Sequence, residues 1–223
     1  FSQSVPVSVA ELAEFHCPAY IRSLYDGSID AKAMRRIGFP WTAQLFQRSL
    51  CSLGGTLQTA QAALETGIAL HLSGGYHHAF YAEGSGFCLF NDLVVAARTM
   101  LRRGLDKILL VDLDVHQGDG SAAMLADEPR IISFSVHCEK NFPYRKQPSD
   151  WDIGLPPDCT EQQYLEAVQQ SLDYLLALHQ PDLVLYDAGV DIHQHDDLGL
   201  LAISTAGVLA RDQWVIDRCR ALQ

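Results

Sequence analysis

The sequence is short of positive charge. It has 16 Lys and Arg residues against 27 Asp and Glu residues, so its formal net charge at pH 7 is −11. A nucleic-acid partner requires a basic protein face that neutralises its phosphates. The charge balance therefore disfavours direct binding to nucleic acid, whereas a cationic substrate is compatible with it.

The sequence also lacks a long hydrophobic run. No stretch approaches the roughly 20 consecutive apolar residues that a membrane-spanning helix needs. Residues 1–11 do not show the charged and then apolar pattern of a signal peptide. We therefore expect no membrane association and a location in the cytoplasm.

Paired cysteine motifs are absent as well. The six cysteines are widely spaced, and none forms a Cys-x-x-Cys pair; they are Cys17, Cys51, Cys88, Cys138, Cys159 and Cys219. Dense cysteine frameworks are typical of small secreted domains. The spacing here favours reduced, mostly structural thiols.

No repeat, low-complexity tract or flexible linker divides the 223 residues, and 48% of them are hydrophobic. A chain of this length and composition is typical of one globular domain. We predict a single domain over residues 1–223. Because residue 1 is not Met and Gln223 directly follows an amphipathic segment, we expect this domain to be truncated at both ends.

Short apolar runs alternate with amphipathic segments along the chain. The runs predict buried strands at 68–72, 107–113, 131–136 and 182–186. The amphipathic segments predict helices at 57–66, 92–103, 161–179 and 204–222, the third opened by a capping box of Thr160 and Gln163. This alternation predicts an α/β fold with a mostly parallel sheet and helices on both faces.

Polar side chains follow the predicted strands, where ligands bind in open parallel sheets. Asp112, Asp114 and His116 alternate with apolar residues, so an extended segment directs all three to one side. Clustered carboxylates raise each other's pKa unless a cation compensates them. One Asp, one His and a further ligand such as Asp191 suit a zinc site with an open position. Solvated loop residues are the alternative interpretation.

A pair of adjacent histidines, His77 and His78, follows two glycines after the first predicted strand. Adjacent histidines in a turn are often ordinary polar loop residues. Here two aspartates, Asp112 and Asp119, are available to accept the imidazole N–H groups and to fix the ring orientations. A histidine held in this way beside a metal centre is a competent general base.

Four motifs occur in the order GGYHHA (74–79), SGFCLFND (85–92), VDLDVHQGDG (111–120) and AGVD (188–191). Together they resemble the zinc-dependent histone deacetylase family and its arginase/deacetylase fold. The likeness covers nearly the whole chain. The segments RRIGFPW (35–41) and NFP (141–143) are most similar to the branch of bacterial deacetylase-like and class IV proteins.

The resemblance implies a role for each matching position. It implies that Asp114, His116 and Asp191 bind Zn²⁺. It implies that His78, paired with Asp119, is the general base, and that His77, paired with Asp112, gives electrostatic support. It also implies an acyl-lysine channel with walls at Gly86, Phe87 and Phe142, and a K⁺ site near Asp112 and Ser135.

The activity implied is removal of acetyl or other acyl groups from lysine side chains or related small amines. One departure bears on it: the family stabilises its oxyanion with a Tyr in a Gly-rich segment, and no Gly-Gly-Gly-Tyr occurs in these residues. We expect truncation before that segment. A metal-bearing pseudoenzyme that binds acyl-lysine is the alternative. A two-manganese ureohydrolase is disfavoured, because Gly118 stands where that family has a second Asp.

Overall fold

The structure, a computed structural model, describes residues 2–221 and has a four-stranded sheet at its centre. The strands are β1 (Ile108–Asp112), β2 (Ile131–Cys138), β3 (Trp151–Leu155) and β4 (Leu183–Asp187). Their order is β3-β2-β1-β4, and every neighbouring pair is parallel. The predicted parallel α/β fold is confirmed.

Eight helices occur in the described part of the chain. They are α1 (Val9–Leu12), α2 (Pro18–Asp26), α3 (Ala31–Ile37), α4 (Ala43–Thr66), α5 (Asp92–Arg102), α6 (Asp119–Leu125), α7 (Glu161–His179) and α8 (Thr205–Arg220).

The two faces of the sheet contact different helices. Leu109 and Val111 of β1 belong to a buried cluster with residues of α7 and α8. Ile108 and Leu110 belong to a second cluster with residues of α4, α5 and α6. Alternate residues of a strand point to opposite faces. Helices therefore cover both faces, as predicted, and the central strands are buried on each side.

The capping residues of α5, α7 and α8 confirm where the sequence predicts these helices to begin. At α7 the Thr160 side chain accepts from the backbone of Gln163, and Gln163 bonds back to Thr160. The side chains of Asn91 and Ser204 accept from the backbone of Val94 and Gly207 and so cap α5 and α8. Each cap satisfies backbone N–H groups that have no partner within the helix. The end of α8 is observed at Arg220, whereas the predicted end near residue 222 lies outside the described residues.

Three sequence predictions need correction. The segment 68–72 is not a strand, because it pairs with no other strand in the described residues. Helix α4 begins at Ala43, far before the predicted start at 57. Strand β3 was missed because it is an edge strand with mostly exposed or half-exposed residues and so carries no apolar run.

The structure also bears on the cysteines and on membrane-spanning helices. All six cysteines are free thiols, as the spacing predicted. No helix within residues 2–221 has the length and hydropathy needed to cross a membrane.

Candidate metal centre

The carboxyl ends of β1 and β4 bring two polar segments together. Asp112 and Asp187 are register partners at the ends of these strands. Beyond these strand ends, two segments of the chain lie so close together that a Cβ atom on Gly189 would be 2.5 Å from Asp114 Cα. Only glycine allows this approach. The segment of residues 112–116 therefore lies directly against the segment that leads to Asp191.

Asp114, His116 and Asp191 converge at this edge. His116 Nδ1 lies 2.9 Å from Asp114 Oδ1 and 2.9 Å from Asp191 Oδ2. The second Asp191 oxygen accepts the Val115 backbone N–H at 2.9 Å. All three residues are half-buried. The sequence-predicted ligand set is thus brought together around one point.

The charges of this cluster shift the pKa values of its members. Burial opposes protonation of His116, but its hydrogen bonds to Asp114 and Asp191 raise its pKa to about 9. Burial alone would raise the pKa of Asp114, yet the neighbouring His77 and His116 lower it. Burial raises the pKa of Asp191. His116 thus pairs with both carboxylates, and His77 is a second cationic neighbour of Asp114.

This donor set fits a divalent metal ion. Atoms of Asp114, His116 and Asp191 that could bind a metal lie within 4.8 Å of one another. One imidazole nitrogen and two carboxylate oxygens are ligands that zinc accepts, and three protein ligands leave a fourth position open. Within the described residues, the ion pairs of Asp114 and Asp191 are with histidines. The donors and their number are compatible with a bound divalent metal ion.

His77 and His78 form two carboxylate–imidazole pairs beside this centre. His77 Nδ1 lies 2.8 Å from Asp112 Oδ2, and His78 Nδ1 lies 2.7 Å from Asp119 Oδ1. All four side chains are buried. Each carboxylate accepts the Nδ1–H group of its histidine. The Nε2 atom of each ring therefore remains available for chemistry at the candidate metal centre.

The two histidines differ electrostatically. Although burial opposes it, the nearby Asp112 and Asp114 raise the pKa of His77 well above its ordinary value. Burial, and then the charge of His77, lower the pKa of His78. Their ring centroids are 4.1 Å apart. A charged His77 thus favours a neutral His78, which is the protonation state that a base requires.

The loop that carries the histidines is held from below by Asp92. Its carboxylate accepts the backbone N–H groups of Gly75 at 3.2 Å and Tyr76 at 2.8 Å, and the Thr56 hydroxyl at 2.6 Å. Asn91 donates to the backbone oxygen of Ala79 at 3.1 Å. The sequence alone does not predict this support, although Asn91 and Asp92 lie in the SGFCLFND motif at 85–92.

The three predicted channel residues lie at or beside His78. A Cβ on Gly86 would lie 2.4 Å from His78 Cδ2, so the ring lies directly against this glycine. Phe142 meets the His78 ring edge to face, with centroids 4.8 Å apart. Phe87 follows Gly86, is 51% exposed and contacts Phe39. Gly86 and Phe142 thus flank the proposed base, and Phe87 is the more exposed neighbour.

Other polar residues at the strand ends have different surroundings. Asp187 is packed beside His77, and burial, together with the charge of Asp112, raises its pKa well above the ordinary value. Ser135 is the register partner of Asp112. His137 is buried, and its Nδ1 lies 2.9 Å from the Ser135 hydroxyl. His195 is exposed in the loop beyond Asp191.

The comparisons with known proteins give a consistent result. The family described as "Histone deacetylase domain" matches residues 2–223. An uncharacterised protein from Picosynechococcus sp. is 50% identical over 92% of this chain, and Histone deacetylase 2 from Arabidopsis thaliana is 34% identical over 73% of it. This chain covers 69% of the first relative and 43% of the second.

Solved structures are similar over nearly the whole chain. An HDAC homologue from Aquifex aeolicus has a TM-score of 0.84 and 25% identity over 96% of this chain, which spans 63% of that protein. An HDAC homologue complexed with SAHA has the same TM-score and coverage, with 26% identity.

Proposed function

Because this chain belongs to the histone deacetylase family, we propose that it is a zinc-dependent hydrolase that removes acetyl or longer acyl groups from lysine side chains or related small amines. Relatives named as deacetylases support the general class of reaction.

One observation carries the proposal: a three-residue donor set lies beside a histidine pair with its own carboxylates. Asp114, His116 and Asp191 would hold the zinc ion. The His78 ring is 5.9 Å from the His116 ring, measured between centroids. The proposed base therefore lies beside the residues that would hold the metal.

The residues of this chain then divide the work of amide hydrolysis. When bound, zinc supplies Lewis acidity that polarises the acyl carbonyl and activates water. His78 takes the proton of the attacking water at Nε2 and returns it to the leaving amine. Asp119 holds the ring through Nδ1. His77, held by Asp112, stays positively charged and stabilises developing negative charge.

The surroundings of His78 fit an acylated amine with a linear chain. The His78 ring occupies the space that a side chain on Gly86 would need, and the Phe142 ring packs against the same imidazole. We propose that these two residues and Phe87 line the path of the acyl-lysine. The SAHA complex is a property of the neighbouring structure, and it supports an elongated ligand here by similarity.

We also propose a K⁺ site near Asp112 and Ser135. These residues are register partners on adjacent strands, and the Asp112 carboxylate also holds His77. A cation there would stabilise the strand end that carries the zinc ligands. Because all six thiols are free, we propose the cytoplasm as the place of action.

Metal analysis tests the centre. We expect about one zinc per folded chain after exchange into metal-free buffer, and loss of that zinc in Asp114→Ala and Asp191→Ala, because two ligands hold zinc poorly. Asp158→Ala, at an exposed carboxylate, is the matched control and should retain zinc. Stoichiometric zinc in either ligand variant would contradict the ligand set, and two manganese ions would favour the ureohydrolase alternative.

An assay with acetyl-lysine peptides tests the reaction. In a chain that includes the Gly-rich Tyr segment, we expect hydrolysis and its loss in His78→Ala with zinc retained, because only the proton acceptor is removed. Full hydrolysis by that variant would exclude His78 as the base. Binding of the peptide to the zinc-loaded chain without any hydrolysis would instead favour the acyl-lysine binding module.

A further inference from the structure

Arg211 is a buried cation behind the candidate metal centre. It lies on α8, and only 1% of its surface is exposed. Its Nε donates to Asp212 at 2.8 Å. Its Nη1 donates to the backbone oxygens of Leu113 at 3.1 Å and Gly189 at 2.7 Å. One guanidinium nitrogen thus joins two segments that are far apart in the sequence.

These two carbonyls belong to the residues that position the metal ligands. Leu113 precedes Asp114, and Gly189 lies two residues before Asp191. The parallel ladder of β1 and β4 has its last register pair at Asp112 and Asp187. The Leu113 N–H then donates to the Asp187 oxygen at 3.0 Å. Arg211 therefore joins the segments just beyond the end of the ladder.

The other side-chain links between the segments use proposed ligands. His116 Nδ1 lies 2.9 Å from Asp191 Oδ2. The Val115 N–H donates to the Asp191 carboxylate at 2.9 Å, so this bond is made by a group that would also bind zinc. The Arg211 bonds go to backbone oxygens that are not ligands. They hold the two segments together independently of the metal.

A purely structural role does not account for this arginine. A buried guanidinium loses its hydration, and an apolar side chain of similar size would fill the space without that loss. Nη2 is buried and has no hydrogen-bond partner among residues 2–221. The arginine is thus incompletely paired, and its hydrogen bonds go to Asp212, to the Tyr164 hydroxyl at 3.3 Å and to the two strand-end carbonyls.

We infer that Arg211 is a positioning residue for the metal centre: it sets the separation of the Asp114–His116 segment from Asp191. The inference rests on the proposed function, because the centre it serves is the proposed zinc site.

The test compares three variants on the same helix. Arg211→Met keeps the packing and removes every donor, whereas Arg211→Lys keeps a cation that cannot reach Asp212 and both carbonyls together. Arg218→Met is the matched control, because Arg218 pairs with Asp173 on the surface. Zinc affinity is measured by competition with a chelator, and coordination geometry by the visible absorption of the Co²⁺-loaded chain.

We expect Arg211→Met to weaken zinc binding about 10–100-fold, the usual effect of removing support behind metal ligands, and to change the Co²⁺ spectrum. Arg211→Lys should show a smaller loss and Arg218→Met none. If Arg211→Met does not fold, the comparison of Arg211→Lys with Arg218→Met decides. Parental affinity and spectrum in a folded Arg211 variant would overturn the inference while leaving the proposed function intact. A parent chain that binds neither metal would refute both.

Discussion

At the scale of single residues, Asp92 shows how a site depends on groups that never touch the reacting atoms. Its side chain is fully buried, and it accepts three hydrogen bonds from the loop and helix beneath His77 and His78. Hydrogen bonds to a buried carboxylate are stronger than those between neutral groups. Asp92 therefore fixes the backbone from which both histidines project.

We predict that Asp92→Asn lowers the free energy of unfolding by about 1–3 kcal/mol, because the new amide N–H₂ faces backbone donors that lose their acceptor. Turnover should fall, while zinc stoichiometry should stay at the parental value because no ligand changes. Urea unfolding, metal analysis and the peptide assay measure these effects, with Asp158→Asn as the control. Unchanged stability and unchanged turnover would show that the loop does not depend on this carboxylate.

Sequence reasoning named the residues with their own chemistry but missed those that act on the backbone. His77, His78 and Asp114 were identified because their residue types and spacing at strand ends point to metal and proton chemistry. Asp92 and Arg211 bond mainly to main-chain atoms of distant segments, and local sequence does not specify those partners. For Arg211 a signal existed: Gly207, Arg211 and Val215 form the buried stripe of α8, and a cation in such a stripe requires partners.

At the scale of elements, α4 explains why one helix start was predicted wrongly. Gly54 and Gly55 lower intrinsic helix propensity, which favoured a start after them at residue 57. The structure uses both glycines for close contact. A Cβ on Gly54 would lie 1.9 Å from the Val5 backbone oxygen, and Val7 N–H bonds to the Leu50 oxygen at 3.1 Å. Tertiary contact with the N-terminal segment outweighs local propensity.

We predict that Gly54→Ala destabilises the chain by up to about 2 kcal/mol. Alanine in a helix interior normally gains about 1 kcal/mol over glycine, but forcing a group into a packed contact costs about 1–3 kcal/mol, and the obstructing atom here is backbone. Ala62→Gly in the same helix is the control and reports the ordinary propensity difference. An increase in the urea midpoint for Gly54→Ala would mean that the N-terminal segment moves away freely.

The strand prediction at 68–72 failed for a related reason. Ile68, Leu70 and Leu72 alternate as in a strand, and all three are exposed. A strand requires a neighbour for its backbone hydrogen bonds, and no described segment supplies one. Apolar alternation therefore indicates the tendency of a segment but not whether a partner strand lies beside it.

At the scale of the whole molecule, the pH dependence of stability depends on opposing effects. The net charge is −11 at pH 7, and its magnitude falls toward zero near the isoelectric point of about 5.1. Repulsion among the negatively charged side chains therefore weakens as the pH falls. His16 acts in the other direction. It is fully buried, its Nε2 accepts the Asn91 N–H at 3.1 Å, and its Nδ1 lies 3.3 Å from the Tyr81 oxygen. Acceptance at Nε2 requires a neutral ring, in which Nδ1–H donates to the Tyr81 oxygen.

Burial lowers the pKa of His16 from its ordinary value of 6.5 to about 4. The unfolded chain therefore binds this proton at a higher pH than the folded chain does. The stability that His16 contributes is complete above pH 6.5 and is lost as the pH falls from 6.5 toward 4. At pH 5 the loss is about 2 kcal/mol, since each pKa unit corresponds to about 1.4 kcal/mol.

We predict that His16→Gln removes this part of the pH dependence, because the Gln carbonyl accepts the Asn91 N–H but does not titrate. Urea unfolding of the parent and the variant at pH 7.5 and pH 5.0, both with a chelator present, measures the difference. The site histidines and the overall charge are common to both proteins and cancel in the comparison, and His195→Gln, at an exposed histidine, is the control. Equal losses in the parent and His16→Gln would mean that the acid sensitivity arises elsewhere, with the charged network around His77 and His116 as the next group to vary.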